Sequence, residues 1–303
     1  MLRKDFLKNI SLLAGAGLAA PLLSSYQTNS FANLKIKKGL GYWMIQEDLS
    51  ILDKFKLVKD LGFHGIEFNA PLEVPIKELI DARDKTCIEL PSLVNKDHWN
   101  RPLSDPDPKV REFIVESVVN TVQETKMLGG NTVLVVPGIV NEKVSYETAW
   151  KNSIATIRQI LPRIENTGVK LGIENVWNNF LISPVEAKMY LEEINHPAVG
   201  WYFDIGNVMR YGWPEHWIET LGSKILKFHI KEFSRQIMNN EGLSKGFGVE
   251  LTKGDIDWAK VMKSIQDIKY KGEWMTLEVG RGDRTHLQKL SDQFDTILGY
   301  INS

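Results

Sequence analysis

From Gly39 onward the chain alternates short β-branched or apolar runs with longer stretches of helical period, and it does so eight times. The runs are Gly39–Met44, Gly65–Phe68, Ile88–Val94, Thr132–Val136, Lys170–Glu174, Gly200–Asp204, Ile225–Ile230 and Trp274–Val279. A strand followed each time by a helix-length connection pairs in parallel with its neighbours. Local start signals agree: Asp107-Pro108 offers an N-cap with proline at the first helical position, and Ser183-Pro184-Val185-Glu186 spells a capping box. No G-x-G-x-x-G turn follows the first run, as a doubly wound sheet would normally require, and eight βα units in roughly 270 residues is the usual size of a closed barrel. The expected fold is therefore α/β, a single-domain (β/α)8 TIM barrel over residues 33–303. One connection, from about Glu232 to Asp255, is long and glycine-rich, a type of loop that often covers an active site.

Residues 1–32 do not fit the barrel. Arg3, Lys4 and Lys8 precede an apolar, Gly/Ala-rich run from Ile10 to Leu23, which is the pattern of a signal peptide. Arg3-Lys4-Asp5-Phe6-Leu7-Lys8 resembles the twin-arginine export motif, with Lys4 where the second arginine usually stands, and Ser30-Phe31-Ala32 offers a small-x-small cleavage site. The expectation is an exported, periplasmic protein with no membrane span once the signal is removed. The alternative is a membrane anchor made by the uncleaved segment.

Cys87 is the only cysteine, so the chain can build neither an intramolecular disulfide nor a thiolate metal site, and any metal must be held by oxygen and imidazole. The whole chain has a formal net charge of −1; residues 1–32 hold three of its cations and one of its anions, so the remainder carries −3. That balance gives no polyanion-binding face, and no nucleic-acid partner is expected.

In a barrel of parallel strands the reactive groups sit at the carboxyl ends. Four consecutive runs close on a titratable residue there: Glu174, Asp204, His229 and Glu278. Each has a plainer reading alone; Asp204 could cap the following turn, and His229 could be a core histidine bonded to a backbone carbonyl. Buried acids in one barrel mouth would repel one another and suffer desolvation, and a bound divalent ion is the simplest remedy. Three carboxylates and an imidazole favour Mn²⁺, Mg²⁺ or Co²⁺ and permit Zn²⁺.

Gly172-Ile173-Glu174-Asn175, Phe203-Asp204-Ile205-Gly206-Asn207, His229-Ile230-Lys231-Glu232 and Trp274-Met275-Thr276-Leu277-Glu278 resemble the xylose-isomerase-like superfamily, within it the sugar phosphate isomerase/epimerase group. That group includes pentulose 5-phosphate 3-epimerases, hydroxypyruvate isomerase and ketose 3-epimerases. Gly62-Phe63-His64-Gly65-Ile66-Glu67 and Gly254-Asp255-Ile256-Asp257-Trp258 are similar to further recurring segments. The resemblance implies one divalent metal held by Glu174, Asp204, His229 and Glu278, with Glu174 and Glu278 as the catalytic acid/base pair, and a homodimer. It implies a substrate-binding Arg235, six residues after His229, a position where relatives carry an arginine that orients a substrate oxygen or a catalytic glutamate. Asn207 stands where many relatives have histidine, and as an amide it can donate a hydrogen bond to substrate but cannot take up a proton. Phe180 stands where free-ketose epimerases place another carboxylate.

Two further substrate contacts are expected. Glu67, at the end of the second run, could bond a substrate hydroxyl or form a salt bridge inside the rim. Trp43, Trp99, Trp177 and Trp213 lie near strand ends, and Trp177 is the one expected to stack on a sugar. His64, His98, His196, His216 and His286 show no partner pattern and are expected to be surface or packing residues. The expected function is proton abstraction beside a carbonyl of a small sugar or keto-sugar, phosphorylated or free, through a metal-stabilised enediolate. Elimination by a keto-sugar or inosose dehydratase would begin with the same abstraction; a non-catalytic carbohydrate-binding protein would not need two opposed carboxylates.

Overall fold

A computed structural model describes residues 34–301, so the expected leader at 1–32 lies outside the described residues. Eight strands close a parallel barrel in sequence order: β1 Lys37–Gly41, β2 Gly65–Ala70, β3 Ser92–Asn95, β4 Thr132–Val135, β5 Lys170–Glu174, β6 Val199–Asp204, β7 Ile225–Ile230 and β8 Trp274–Leu277. Closure comes from β1 pairing with β2 on one side and β8 on the other. The helices between them are α1 Ile51–Asp60, α2 Ile76–Thr86, α3 Pro108–Met127, α4 Tyr146–Ile164, α5 Pro184–Ile194, α6 Pro214–Leu221, the short α7 Arg235–Glu241, α8 Trp258–Asp267 and α9 Arg284–Gly299. Among the described residues no helix is long and apolar enough to cross a membrane.

The predicted helix starts are where the chain signals them. Asp107 accepts from Lys109 N at 2.9 Å ahead of Pro108, and Ser183 and Glu186 complete a reciprocal capping box. Several strand ends differ from expectation, two of them for a visible local reason. The first ends at Gly41, where Tyr42–Met44 turn into a 3-10 helix closed by Ile45 N to Tyr42 O. The third starts only at Ser92: Pro91 has no N–H for the ladder, and Glu89 keeps a single bridge to Gly65.

Along each strand alternate residues face opposite ways. Ile66, Phe68, Leu171, Ile173, Trp201, Phe203, Phe228 and Leu277 belong to the apolar core. The other set fills the barrel and is polar at its centre: Glu67, Ser92 and Tyr202 meet there, Tyr202 rests against Gly172, and Thr276 against Gly39. In this way one set of residues builds the core while the other carries functional groups to the open end.

The long connection after β7 is tied down by Glu232, which is 3% exposed. Its carboxylate accepts from Phe233 N (3.1 Å), Thr252 N (2.8 Å) and Trp258 Nε1 (2.8 Å). Gly254 lies so close to that carboxylate and to Phe233 O that no side chain fits, which accounts for glycine in the Gly254-Asp255 segment. Removing the carboxylate leaves three enclosed donors without an acceptor. Glu232→Ala is expected to lower stability by about 2–4 kcal/mol in denaturant titration, with Glu232→Gln losing less; an unchanged midpoint in Glu232→Ala would show that the loop is anchored elsewhere.

Candidate metal centre

Glu174 ends β5, Asp204 ends β6, His229 is the next-to-last residue of β7, and Glu278 follows β8, so adjacent strand ends deliver all four to one place. Asp204 and His229 are direct neighbours in register. One ligand atom from each of the four can be chosen so that all lie within 4.8 Å of one another. Glu174, Asp204 and His229 are buried, while 29% of the Glu278 side chain is exposed.

The imidazole of His229 is fixed from below. Its Nε2 lies 2.7 Å from Glu67 Oε1, and its Nδ1 lies 3.3 Å from Glu174 and 3.0 Å from Glu278. Glu67 is fully enclosed, and its other oxygen accepts from Ser92 Oγ and Tyr202 Oη, both at 2.5 Å. Burial alone would raise the Glu67 pKa, but the His229 charge and these three hydrogen bonds outweigh it and hold the group below the ordinary value. An ionised Glu67 accepts the Nε2 proton and leaves Nδ1 as the ring atom that can bind a metal. Both Glu67 oxygens are thus taken by protein groups below His229. Glu67 is thereby paired with His229, deeper than the rim.

Asp204 does cap the turn after it, through Oδ1, which accepts from Asn207 N at 2.7 Å. Its Oδ2, like Glu278 Oε2, is buried and is met by ion pairs rather than by a neutral hydrogen-bond donor. Lys231 Nζ approaches both at 2.9 Å. Two buried anionic oxygens facing one point, beside a third carboxylate and an imidazole, fit a hard or borderline divalent cation. Lys231 carries the signal that reading by strand ends overlooks: Lys227, His229 and Lys231 share one face of β7 and its extension by period two.

Charge sorts the acids. Burial pushes Glu174 up to about 7 despite its bond to His229. Burial also raises Asp204, against the pull of Lys231. For Glu278 burial acts in the same direction, but Lys231 and His229 together hold its carboxyl well below the ordinary range. For His229 burial opposes charge, yet Glu67 and Glu278 keep its pKa well above 6.5.

Asn175 clamps the ends of β5 and β6: its Nδ2 donates to Asp204 O (2.8 Å) and its Oδ1 accepts from Asp204 N (3.1 Å). The remaining expected substrate contacts are committed to the protein. Asn207 donates its side-chain amide to Asn175 O at 2.9 Å and so positions Asp204. Arg235 donates Nε to Met209 O at 2.8 Å, also bonds Gly212 O, and lies over the Trp213 ring, bracing the loop before α6. Trp177 donates to Asn207 O at 2.8 Å and packs against Phe233 and Phe247. Phe180 is buried against Tyr146, Trp150 and Tyr190.

A cavity of 270 Å³ adjoins the cluster. Glu174, His229 and Glu278 line it together with Trp43, Lys96, His98 and Trp99. The indoles lining this cavity are Trp43 and Trp99. The long β7 connection borders a second cavity, of 450 Å³, through Phe247, Val249 and Leu251, with Lys231 and Glu278 in its wall. A cleft of 600 Å³ lies outside the barrel between α1 and α9 and contains none of the four clustered residues.

A family model described as xylose isomerase-like TIM barrel matches residues 55–296. The chain belongs to that family. An uncharacterized protein of Methanocaldococcus jannaschii is 26% identical over 209 residues, 65% of this chain and 67% of that one. A 2-epi-5-epi-valiolone 7-phosphate 2-epimerase of Actinoplanes sp. is 26% identical over 107 residues, 35% of this chain and 38% of the epimerase. The crystal structure of a D-tagatose 3-epimerase-like protein superposes with a TM-score of 0.74 at 20% identity, covering 88% of this chain and 98% of that one, and shares the fold.

Two outcomes follow for metal binding. Protons on Glu174 and His229 compete with a cation. Affinity for Mn²⁺ or Zn²⁺, followed by calorimetry, should therefore rise with pH through about 7 as Glu174 ionises and continue to rise while His229 loses its proton. Glu174→Gln should weaken binding and make the slope shallower; a flat profile between these pH values would refute the assignment. Glu67→Gln should loosen the ring and weaken metal binding about 10–100-fold with little change in the pH slope.

Proposed function

We propose that this protein is a divalent-metal-dependent sugar isomerase or epimerase that moves a proton at the carbon beside a carbonyl. The observation that carries the reading is the convergence of Glu174, Asp204, His229 and Glu278 within 4.8 Å, beside a cavity with two indoles in its wall. The family membership supports it, as does the epimerase activity in the name of the Actinoplanes relative.

A proton beside a carbonyl is too weakly acidic for an unaided carboxylate. A divalent cation held by these four side chains would stabilise the negative charge that grows on the substrate oxygens. The protein's own groups then handle the proton. Glu174 and Glu278 come from β5 and β8, two strands apart from direct pairing, and both face the cavity. A proton taken by one and returned to the opposite face of the same carbon inverts that centre; returned to the neighbouring carbon, it interconverts aldose and ketose. Lys231 beside Glu278 favours its ionised form, the state a base requires, and a cation held by the four side chains would favour the ionised form of Glu174 as well. Trp43 and Trp99 offer apolar faces suited to the C–H side of a sugar ring. The leader-like sequence at residues 1–32 supports export, and with it a free sugar or keto-sugar in preference to a phosphorylated one.

The test is ¹H NMR of the metal-loaded protein in D₂O with a panel of ketoses, keto-sugars and their phosphates. Deuterium should enter the carbon beside the carbonyl, and Glu174→Gln and Glu278→Gln should each reduce the rate by at least about 100-fold. An epimer or isomer as product supports the proposal, whereas loss of water would reassign the site to a dehydratase. No exchange with any member of the panel by protein with stoichiometric metal would refute proton-transfer chemistry.

A further inference from the structure

The cavity beside the acids contains an uncommitted donor. His98 lies in the short 3-10 turn Lys96–Trp99 that follows β3 and is 2% exposed. Its Nδ1 accepts a hydrogen bond from Val136 N at 3.3 Å, so in the neutral ring the proton resides on Nε2. That Nε2 is buried and has no partner in the protein. His98 is among the residues lining the 270 Å³ cavity that Glu174, His229 and Glu278 also line. A buried donor without an acceptor is unfavourable and calls for an explanation, and a wall of the reaction cavity supplies one.

We propose that His98 is a catalytic residue that binds substrate: its Nε2–H donates to an oxygen of the sugar held between Trp43, Trp99 and the glutamates. This assignment rests on the isomerase reading for its reaction but not for its ligand contact. Burial depresses the His98 pKa to about 3, so the ring stays neutral throughout the working range. A neutral donor can bond a carbonyl or hydroxyl oxygen without placing a second positive charge beside a cation site, and it neither takes up nor releases a proton as the reaction proceeds. Its backbone bond to Val136, at the end of β4, also fixes the ring before substrate arrives, so the hydrogen bond requires no reorganisation. A sugar lacking an oxygen at that position would leave the donor unpaired, which makes His98 a source of discrimination among sugars.

Three measurements on the Mg²⁺-loaded full chain test this. In ¹⁵N NMR, His98 should show the Nε2–H neutral tautomer unchanged from pH 5 to 8, and titration with D-fructose and D-tagatose should shift its Nε2 resonance. His98→Leu should weaken ketose binding and lower kcat/KM by about 10-fold or more, and His98→Gln, whose amide nitrogen can replace Nε2, should recover most of both. Metal affinity should be unchanged in both variants. Wild-type-like ketose binding by His98→Leu, an Nε2 resonance that ignores the sugars, or no binding of either ketose would overturn the proposal. So would a loss in His98→Leu that accompanies loss of metal or is not rescued by His98→Gln, since that is the signature of a structural role. Ketose binding through His98 with no deuterium exchange would uphold the contact while refuting the isomerase reading.

Discussion

The site depends on negative charge gathered where water is scarce. Glu67, Glu174 and Asp204 are buried inside one barrel, with Glu278 at its mouth, and burial disfavours the charged form of each. The cations that face them are His229 and Lys231. Unpaired, such a group of acids would take up protons rather than remain ionised. Every nearby feature acts on that problem: Glu67 pairs with the imidazole, Lys231 bridges Asp204 and Glu278, and a divalent ion held by the four clustered side chains would meet the rest of the charge.

Parallel strands make the gathering feasible. All eight present their carboxyl ends to one side, so residues far apart in the chain meet without long loops. A deeper layer of Glu67, Ser92 and Tyr202 supports His229, and Asn175 fixes the spacing of the β5 and β6 ends. The ligands therefore stand on rigid elements with their supporting bonds already made, an arrangement that lets small positional differences matter chemically.

The fold and the four clustered residues are legible from sequence because both are periodic facts. Eight apolar runs announce the strands, and a titratable residue closing a run announces a strand end. What escapes is depth and reach. Reading β2 as ending at Phe68 places Glu67 at the rim, but the strand continues to Ala70, and Glu67 lies beneath the site. Arg235, Trp177 and Asn207 occupy telling positions in the chain, yet their polar atoms are taken by nearby carbonyls whose locations no pattern reveals. Trp99 and His98 share a turn with ordinary composition, and only the folded chain shows that it borders the cavity. Lys231 was open to inference, since it repeats the period of His229.

The difference between Glu174 and Glu278 is what the proposed chemistry requires most. Two equivalent carboxylates would compete for the same proton and differ only in position. With no cation bound, burial raises the Glu174 carboxyl to about 7, whereas Lys231 and His229 hold Glu278 below the ordinary carboxylate range. Environments that separate two acids in this way make them inequivalent before any cation or substrate binds. The separation originates in the barrel itself: β5 delivers Glu174 to the interior, while Glu278 follows the end of β8, where Lys231 reaches across from β7. Moving Lys231 by one residue along β7 would turn it to the other face, remove the charge that holds Glu278 ionised, and bring the two acids back toward equivalence.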